Sequence, residues 1–278
     1  MTSKTESKWS ASYRLIAAEK WKAKSAAMGR GVTDALVQYA NPQPGMKVLD
    51  LASGTGEPAI TLASKVGGEG HVTALDLSAE LLQIADQRAQ ARELKNFSTR
   101  QGDVHDLPFR DHSFDLITCR FGVMFFDDSL KSLQEACRVL KPGGRACFLA
   151  WGPFEQPYWS STMAVAHKYA GGPLMAAGGA DMFRFAAPGS LSAALKQAGF
   201  AEIEEDTRTL PWTWPGPVEE VWEYAQAVST PFRPLLDRVP PDQWDAMNAA
   251  VHRAIRQYVN GDKVEFGVVV VMASGKAP

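Results

Sequence analysis

The chain has 278 residues, 45% hydrophobic and 22% charged, at a net charge of −2: an ordinary globular composition, enough for one large domain or for one domain with an elaborated cap. Its 29 basic residues are scattered, which argues against a nucleic-acid partner. The polar opening MTSKTESKWS lacks the apolar stretch of a secretory signal, and the longest apolar run, FGVVVVMA at 266–273, is too short to span a bilayer, so the expectation is a soluble, cytoplasmic protein.

In chain order, the apolar spacing predicts a helix over 13–40 that ends at NPQPG. Strands and helices then alternate. Strand 47–51 precedes a helix from Pro58 to Val66, and strand 71–77 precedes a helix from Ser78 to Arg92. Strand 97–103 leads through VHDLPFRDHS to strand 114–120, a helix over 129–140, a KPGG turn and strand 145–151. Such alternation implies right-handed crossovers and a parallel sheet covered on both faces. After Trp151 the chain turns rich in Gly, Pro, Met and aromatics; a helix at 191–197, a strand at 201–210, proline-punctuated helices over 211–259 and a final strand at 264–273 complete seven strands. The three cysteines, Cys119, Cys137 and Cys147, lie in apolar segments without a Cys-x-x-Cys and read as core residues of a reducing compartment. No cluster of His, Cys and carboxylates has ligand spacing, so no metal is expected.

The chemistry concentrates in KVLDLASGTGEPAITLA, residues 47–63, where a strand runs through Gly54-Thr55-Gly56 into a helix. The glycines let a ligand approach the backbone, and the helix start offers free amides to an anion. Asp76 ends the next strand, where an acid takes the two hydroxyls of a ribose; its other reading is a helix N-terminal acid, but Ser78 is itself a good N-cap, which leaves Asp76 free. Asp50 discriminates between cofactors. A carboxylate four residues before Gly54 opposes a dinucleotide pyrophosphate and suits a ligand carrying an ammonium group, as S-adenosyl-L-methionine does. Asp103 closes the third strand at the sheet's ligand edge, placed for an adenine amino group or for capping its own loop.

With these residues in place the chain resembles the class I S-adenosylmethionine-dependent methyltransferases, and more narrowly the UbiE-type small-molecule enzymes. The likeness rests on KVLDLASGTGEPAITLA, VTALDLS, QGDVHDLPF, FDLITCRFGVMFF and EACRVLKPGGRACFLAWG, five motifs in order within 45–152. It implies an α/β fold with a seven-stranded, mostly parallel Rossmann-like sheet, its last strand antiparallel between the fifth and sixth, helices on both faces and a helical lid. It also implies an N-terminal helical cap at 1–44, a cofactor-binding core at 45–152, and the rest of the sheet at 153–278 with lid insertions at 153–186 and 211–259. The donor site so implied has Asp50 at the methionine amine, Ala52, Ser53, Gly54 and Gly56 along the methionine portion, and Asp76 on the ribose. Leu77 packs on adenine, with Gly102, Asp103 and Val104 at its edge, and Cys119, Arg120 and Phe121 floor the methionine side. Ser53 stands where many members have cysteine, and Glu57 where a small or apolar residue is usual, which questions the entry to the helix.

The reaction implied is a metal-free, in-line methyl transfer giving S-adenosyl-L-homocysteine and a methylated small molecule, which needs positioning and exclusion of water more than acid–base groups. Aromatics in the lid segments (Trp9, Tyr13, Trp21, Phe154, Tyr158, Trp159, Phe183, Trp212, Trp214, Trp222 and Phe232) suit an apolar or aromatic acceptor, although each also reads as core. His105 and His167 are the candidate bases, and neither is assigned. Two other functions fit parts of the pattern: a nicotinamide-dependent oxidoreductase, which leaves Asp50 unexplained, and a non-catalytic S-adenosylmethionine-binding module.

Overall fold

The computed structural model describes residues 20–175 and 181–278. Residues 13–19 of the expected first helix, with Trp9 and Tyr13, lie outside the described residues, as does 176–180. Helix α1 (Lys22–Ala40) leads into the alternation β1 (Lys47–Leu51), α2 (Ala59–Val66), β2 (His71–Asp76), α3 (Ala79–Gln90), β3 (Phe97–Gln101), β4 (Phe114–Arg120), α4 (Ser129–Val139) and β5 (Leu140–Trp151). Side-chain caps start two of these helices: Ser78 accepts from the Leu81 N–H before α3, and Asp128 from the Lys131 N–H before α4.

There follow α5 (Pro157–Ser161), α6 (Met163–Ala170), α7 (Ser190–Gln197), β6 (Ala201–Trp214), α8 (Val218–Val228), α9 (Arg233–Leu236), α10 (Trp244–Arg256), β7 (Val259–Asn260) and β8 (Lys263–Lys276). The sheet order is β3-β2-β1-β4-β5-β8-β6. The pairs among β1 to β5 are parallel, and β8 is antiparallel to β5 and β6, as expected. Consecutive residues of β1, β2 and β5 are buried without alternation, so helices cover both faces there. The order reverses between β1 and β4, and the C-terminal ends of the strands at such a reversal are where open α/β sheets form their ligand crevice.

Three features differ from the expectation. β6 runs on to Trp214, through Pro211 and past the expected end at 210. β6 is an edge strand bonded only to β8, so the missing Pro211 N–H costs no ladder bond, and Trp212 and Trp214 gain burial. The KPGG turn is absorbed into β5 as a kink, with Gly143 at φ +75° and its N–H donating to the Ala277 carbonyl. An eighth, two-residue strand, β7, folds back on β8.

The two segments expected as lid pack on each other: α10 and α9 contact α6, and α10 contacts α8. Helix α1 lies across β4, β5 and β6. It is latched to α8 by Lys24 on Glu220, and just before it Lys20 pairs with Glu223 of α8 at 2.8 Å while Trp21 meets Trp214 of β6 edge-on. Two glycines set its depth. A Cβ on Gly31 would sit 2.8 Å from the Pro211 carbonyl oxygen, and one on Gly29 would sit 3.2 Å from Arg120 Nη1. Gly31→Ala is therefore expected to lower unfolding stability by roughly 1–2 kcal/mol in urea titrations, although alanine is the better helix former by about 1 kcal/mol. Gly68→Ala, with open space around it, is expected to leave stability unchanged.

Candidate active site

The loop after β1 is built from backbone strain and backbone hydrogen bonds. Ala52 (φ 52°), Gly54 (φ 54°) and Gly56 (φ 104°) all take left-handed conformations. Of the three, alanine bears a real cost, and Phe121 (φ 60°) in the loop after β4 bears the same. The two loops touch: a Cβ on Gly122 would lie 2.5 Å from Ala52 Cβ and 2.8 Å from Cys119 Sγ, so only glycine fits between them. Ser53 is buried; its N–H donates to Leu75 O and its hydroxyl to the Asp50 carbonyl at 2.8 Å. From α3, Arg88 donates to the Thr55 carbonyl at 2.7 Å and fixes the tip of the loop.

Glu57, which had put the helix entry in question, supports it. Its carboxylate accepts from Thr61 Oγ1 at 2.6 Å and pairs with Arg92 at 3.0 Å, beside the positive end of α2.

Asp50 is fully buried at the end of β1. Its Oδ1 accepts from Thr118 Oγ1 of β4 at 2.6 Å, and its Oδ2 has no partner. Burial pushes its carboxyl up to about 7, against the pull of the Thr118 bond and the Arg120 charge. Arg120, which ends β4, turns toward α1 and donates to Thr33 Oγ1 at 2.6 Å, while its Nε is buried without a partner. Burial lowers its pKa, and the charges of Glu57 and Asp50 oppose that. A carboxyl and a guanidinium that act on each other's charge are thus both buried and each incompletely satisfied. Cys119 beside them is buried, and burial raises its thiol pKa strongly, so it acts as packing.

Asp76 is more engaged than the sequence suggested. Ser78 does cap α3, but Asp76 is not free: its Oδ2 accepts from the Gly54 N–H at 2.8 Å and its Oδ1 from the Ser78 N–H at 2.9 Å. Each oxygen keeps a further lone pair for a ligand, and the tie to Gly54 holds the glycine loop against β2. Leu77, next in the chain, is 41% exposed, one of two large hydrophobic side chains so exposed among the described residues. Gly102 donates to the Asp76 carbonyl, and a Cβ there would meet Leu75 at 3.1 Å; Val104 is buried.

Asp103 is bonded to His105, not only placed near it: its Oδ1 accepts from the His105 N–H at 2.9 Å and from Nδ1 at 2.6 Å. Burial raises its pKa, but the two His105 hydrogen bonds outweigh this and hold the carboxyl below its usual range. His105 Nε2 accepts from the Asp128 N–H at 3.2 Å. With Nδ1–H given to Asp103 and the Nε2 lone pair to Asp128, His105 ties two loops together and has no lone pair left for a substrate proton. His167 Nε2 bonds the Gly172 carbonyl at 2.8 Å and closes the end of α6.

The residues the sequence missed are those holding the expected ones: Thr118, Thr33, Arg88 and Trp151. Thr118 carried a signal, a polar residue within the apolar strand FDLITCR. Trp151, which ends β5, stacks on Phe121 at 4.2 Å and meets Trp159 and Trp212 edge-on at 5.3 and 5.4 Å.

This strand order is that of a Rossmann-like fold, and residues 42–168 match the family described as a methyltransferase domain, Methyltransf_31. The chain is 35% identical over 127 residues to a demethylmenaquinone methyltransferase of Listeria welshimeri, covering 46% of this chain and 54% of that protein. It is 42% identical over 114 residues to a 2-phytyl-1,4-naphtoquinone methyltransferase of Nostoc, covering 41% and 50%. The chain thus spans about half the length of the curated relatives it matches. In fold it is similar to Haemonchus contortus phosphoethanolamine N-methyltransferase 2, solved with S-adenosyl-L-methionine, at a TM-score of 0.56 and 17% identity over 96% of this chain and 60% of that one.

The raised Asp50 pKa has a consequence for stability. A carboxyl whose folded pKa lies above its unfolded value favours the fold at low pH, and that contribution is lost as pH rises to about 7. Wild type is expected to lose stability relative to Asp50→Asn between pH 5 and pH 7.5 in urea titrations, with no further change above that. Parallel pH profiles would show that Asp50 titrates as an ordinary carboxyl.

Proposed function

We propose that this protein is an S-adenosyl-L-methionine-dependent methyltransferase acting on a small, apolar or aromatic acceptor. The observation that carries the reading is the pair of incompletely satisfied buried charges on β1 and β4: Asp50 Oδ2 without a partner and Arg120 Nε without one. Buried polar atoms are almost always paired, so the partner belongs to a ligand. An α-amino acid zwitterion supplies both, its ammonium to Asp50 and its carboxylate to Arg120. A nicotinamide dinucleotide would instead set a pyrophosphate against Asp50. Asp76 takes the ribose hydroxyls with its remaining lone pairs, Leu77 lies under adenine, and the Asp103–Val104 loop, braced by His105, edges the ring.

The bound donor supplies an electrophilic methyl group on a sulfonium. The protein holds the donor's two ends apart, at Asp50 and Asp76, so that the methyl group has a fixed direction toward the aromatics after β4 and β5. It also keeps water out with Phe121, Trp151 and the helices of 153–186 and 215–258, which serve as the lid. His105 has no lone pair left for a substrate proton, which favours an acceptor that arrives already nucleophilic. The quinone-directed names of the two relatives support a ring acceptor, with O- or C-methylation as the outcome.

Calorimetric titration tests this. S-adenosyl-L-homocysteine is expected to bind at micromolar concentration and NADH not at all; NADH binding alone would reverse the reading of Asp50. Affinity is expected to rise from pH 6 to pH 8 as Asp50 ionises, and this rise disappears in Asp50→Asn. Asp76→Ala is expected to weaken S-adenosyl-L-homocysteine binding by about 1.5–3 kcal/mol, roughly 10- to 150-fold.

A further inference from the structure

Among the described residues five buried side-chain polar atoms have no hydrogen-bond partner: Asp50 Oδ2, Arg120 Nε, Trp159 Nε1, Trp212 Nε1 and Ser229 Oγ. Native interiors leave few such atoms, and each asks for a partner. Three of the five, those of Arg120, Trp159 and Trp212, belong to one contiguous run of residues. Arg120 precedes Phe121, Phe121 stacks on Trp151, and Trp151 touches both Trp159 and Trp212. Trp212 also closes the path back, since its ring lies 4.0 Å, and Arg120 Nη1 3.2 Å, from the position of a Cβ on Gly29.

The zwitterion of the proposed donor uses Asp50 and Arg120. It leaves two indole N–H groups, on side chains 3% and 9% exposed, with nothing to donate to. Other tryptophans of the same region do not share this state. Trp214 Nε1 donates to Glu220 at 3.1 Å and Trp222 Nε1 to Asn248 Oδ1 at 2.7 Å, so the chain supplies acceptors where an indole serves only to pack. Trp159 and Trp212 come from different elements, α5 and β6, and converge on the one ring, Trp151.

We infer that Trp159 and Trp212 form the polar end of the acceptor subsite, their N–H groups donating to an oxygen on the ring of the methyl acceptor. This rests on the methyltransferase reading and adds the acceptor's chemistry: a planar, uncharged ring system bearing a carbonyl or hydroxyl oxygen, with aromatic surface against Phe121 and Trp151. Both indoles donate and neither accepts, so the subsite requires a lone pair on the substrate and gains nothing from a hydrocarbon or an ammonium at that point. A buried donor left unpaired also penalises any substrate without the oxygen, which makes these two residues determinants of specificity rather than of overall affinity. No covalent step is asked of them; they position the ring.

The test uses two probes of one shape, 2-acetylnaphthalene and 2-isopropenylnaphthalene, which differ only in C=O against C=CH2. Their dissociation constants are measured by equilibrium dialysis with and without saturating S-adenosyl-L-homocysteine. Wild type is expected to prefer the ketone by about tenfold or more, the worth of one buried hydrogen bond. Trp159→Phe and Trp212→Phe, which keep an aromatic ring and lose the N–H, are each expected to cut that preference, and the double variant to bring it within about twofold. S-adenosyl-L-homocysteine affinity stays at the wild-type value throughout. Trp222→Phe, whose N–H is already paired, is expected to keep the full preference. Equal binding of the two probes by wild type overturns the inference, and so does a preference that survives in either single variant at full size. Absence of S-adenosyl-L-homocysteine binding to wild type would instead overturn the donor reading, with the probe ratio in its absence still deciding on the two indoles.

Discussion

The hydrogen bond from Thr118 to Asp50 crosses from β4 to β1 at the place where the strand order reverses, and the rest of the ligand edge is arranged around it. It satisfies one carboxylate oxygen in a fully buried position and leaves the other without a partner. Desolvating a carboxyl is expensive, and the chain meets that cost with one short hydrogen bond and a nearby guanidinium rather than with an ion pair. The strained Ala52 and Phe121, the glycine wedge at 122 and the Asp76 tie to Gly54 all keep the two loops bordering this carboxyl at fixed separation. Stability is given up locally where Ala52 and Phe121 hold left-handed conformations and Asp50 Oδ2 stays unpaired.

The alternating half of the fold is legible in the sequence because each strand there is an apolar run closed by a turn signal. The pattern is loudest where both faces are buried, in β1, β2 and β5. It fails at the far edge for a physical reason: the strand runs on through Pro211, because on an edge strand its missing N–H has no ladder to break. β7 is two residues long and leaves no periodicity to detect.

At the site, the candidate cofactor residues stand out by type and spacing, whereas their supports do not. Nothing in the spacing of Asp103 and His105 says that the imidazole spends both nitrogens on Asp103 and Asp128, since Asp128 arrives from a helix start remote in sequence. Glu57 was out of place by the family's pattern and in place by the physics of a helix N-terminus, with Arg92 one helix away. The tryptophans illustrate the same limit. Their number outside the sheet was evident, but which indoles are paired depends on tertiary neighbours such as Asn248 and Glu220.

Helix α1 carries glycines at 29 and 31, well inside its length, and each weakens a helix by roughly 1 kcal/mol relative to alanine. Those glycines let it press close on Arg120 and Pro211, so the contact that needs them also holds the helix in shape. Such a helix frays as a unit when its docked face is lifted, and its opening is then an event of local unfolding rather than of rigid swinging. Arg120 and Pro211 are thus covered by a helix that depends on that same contact for its own stability.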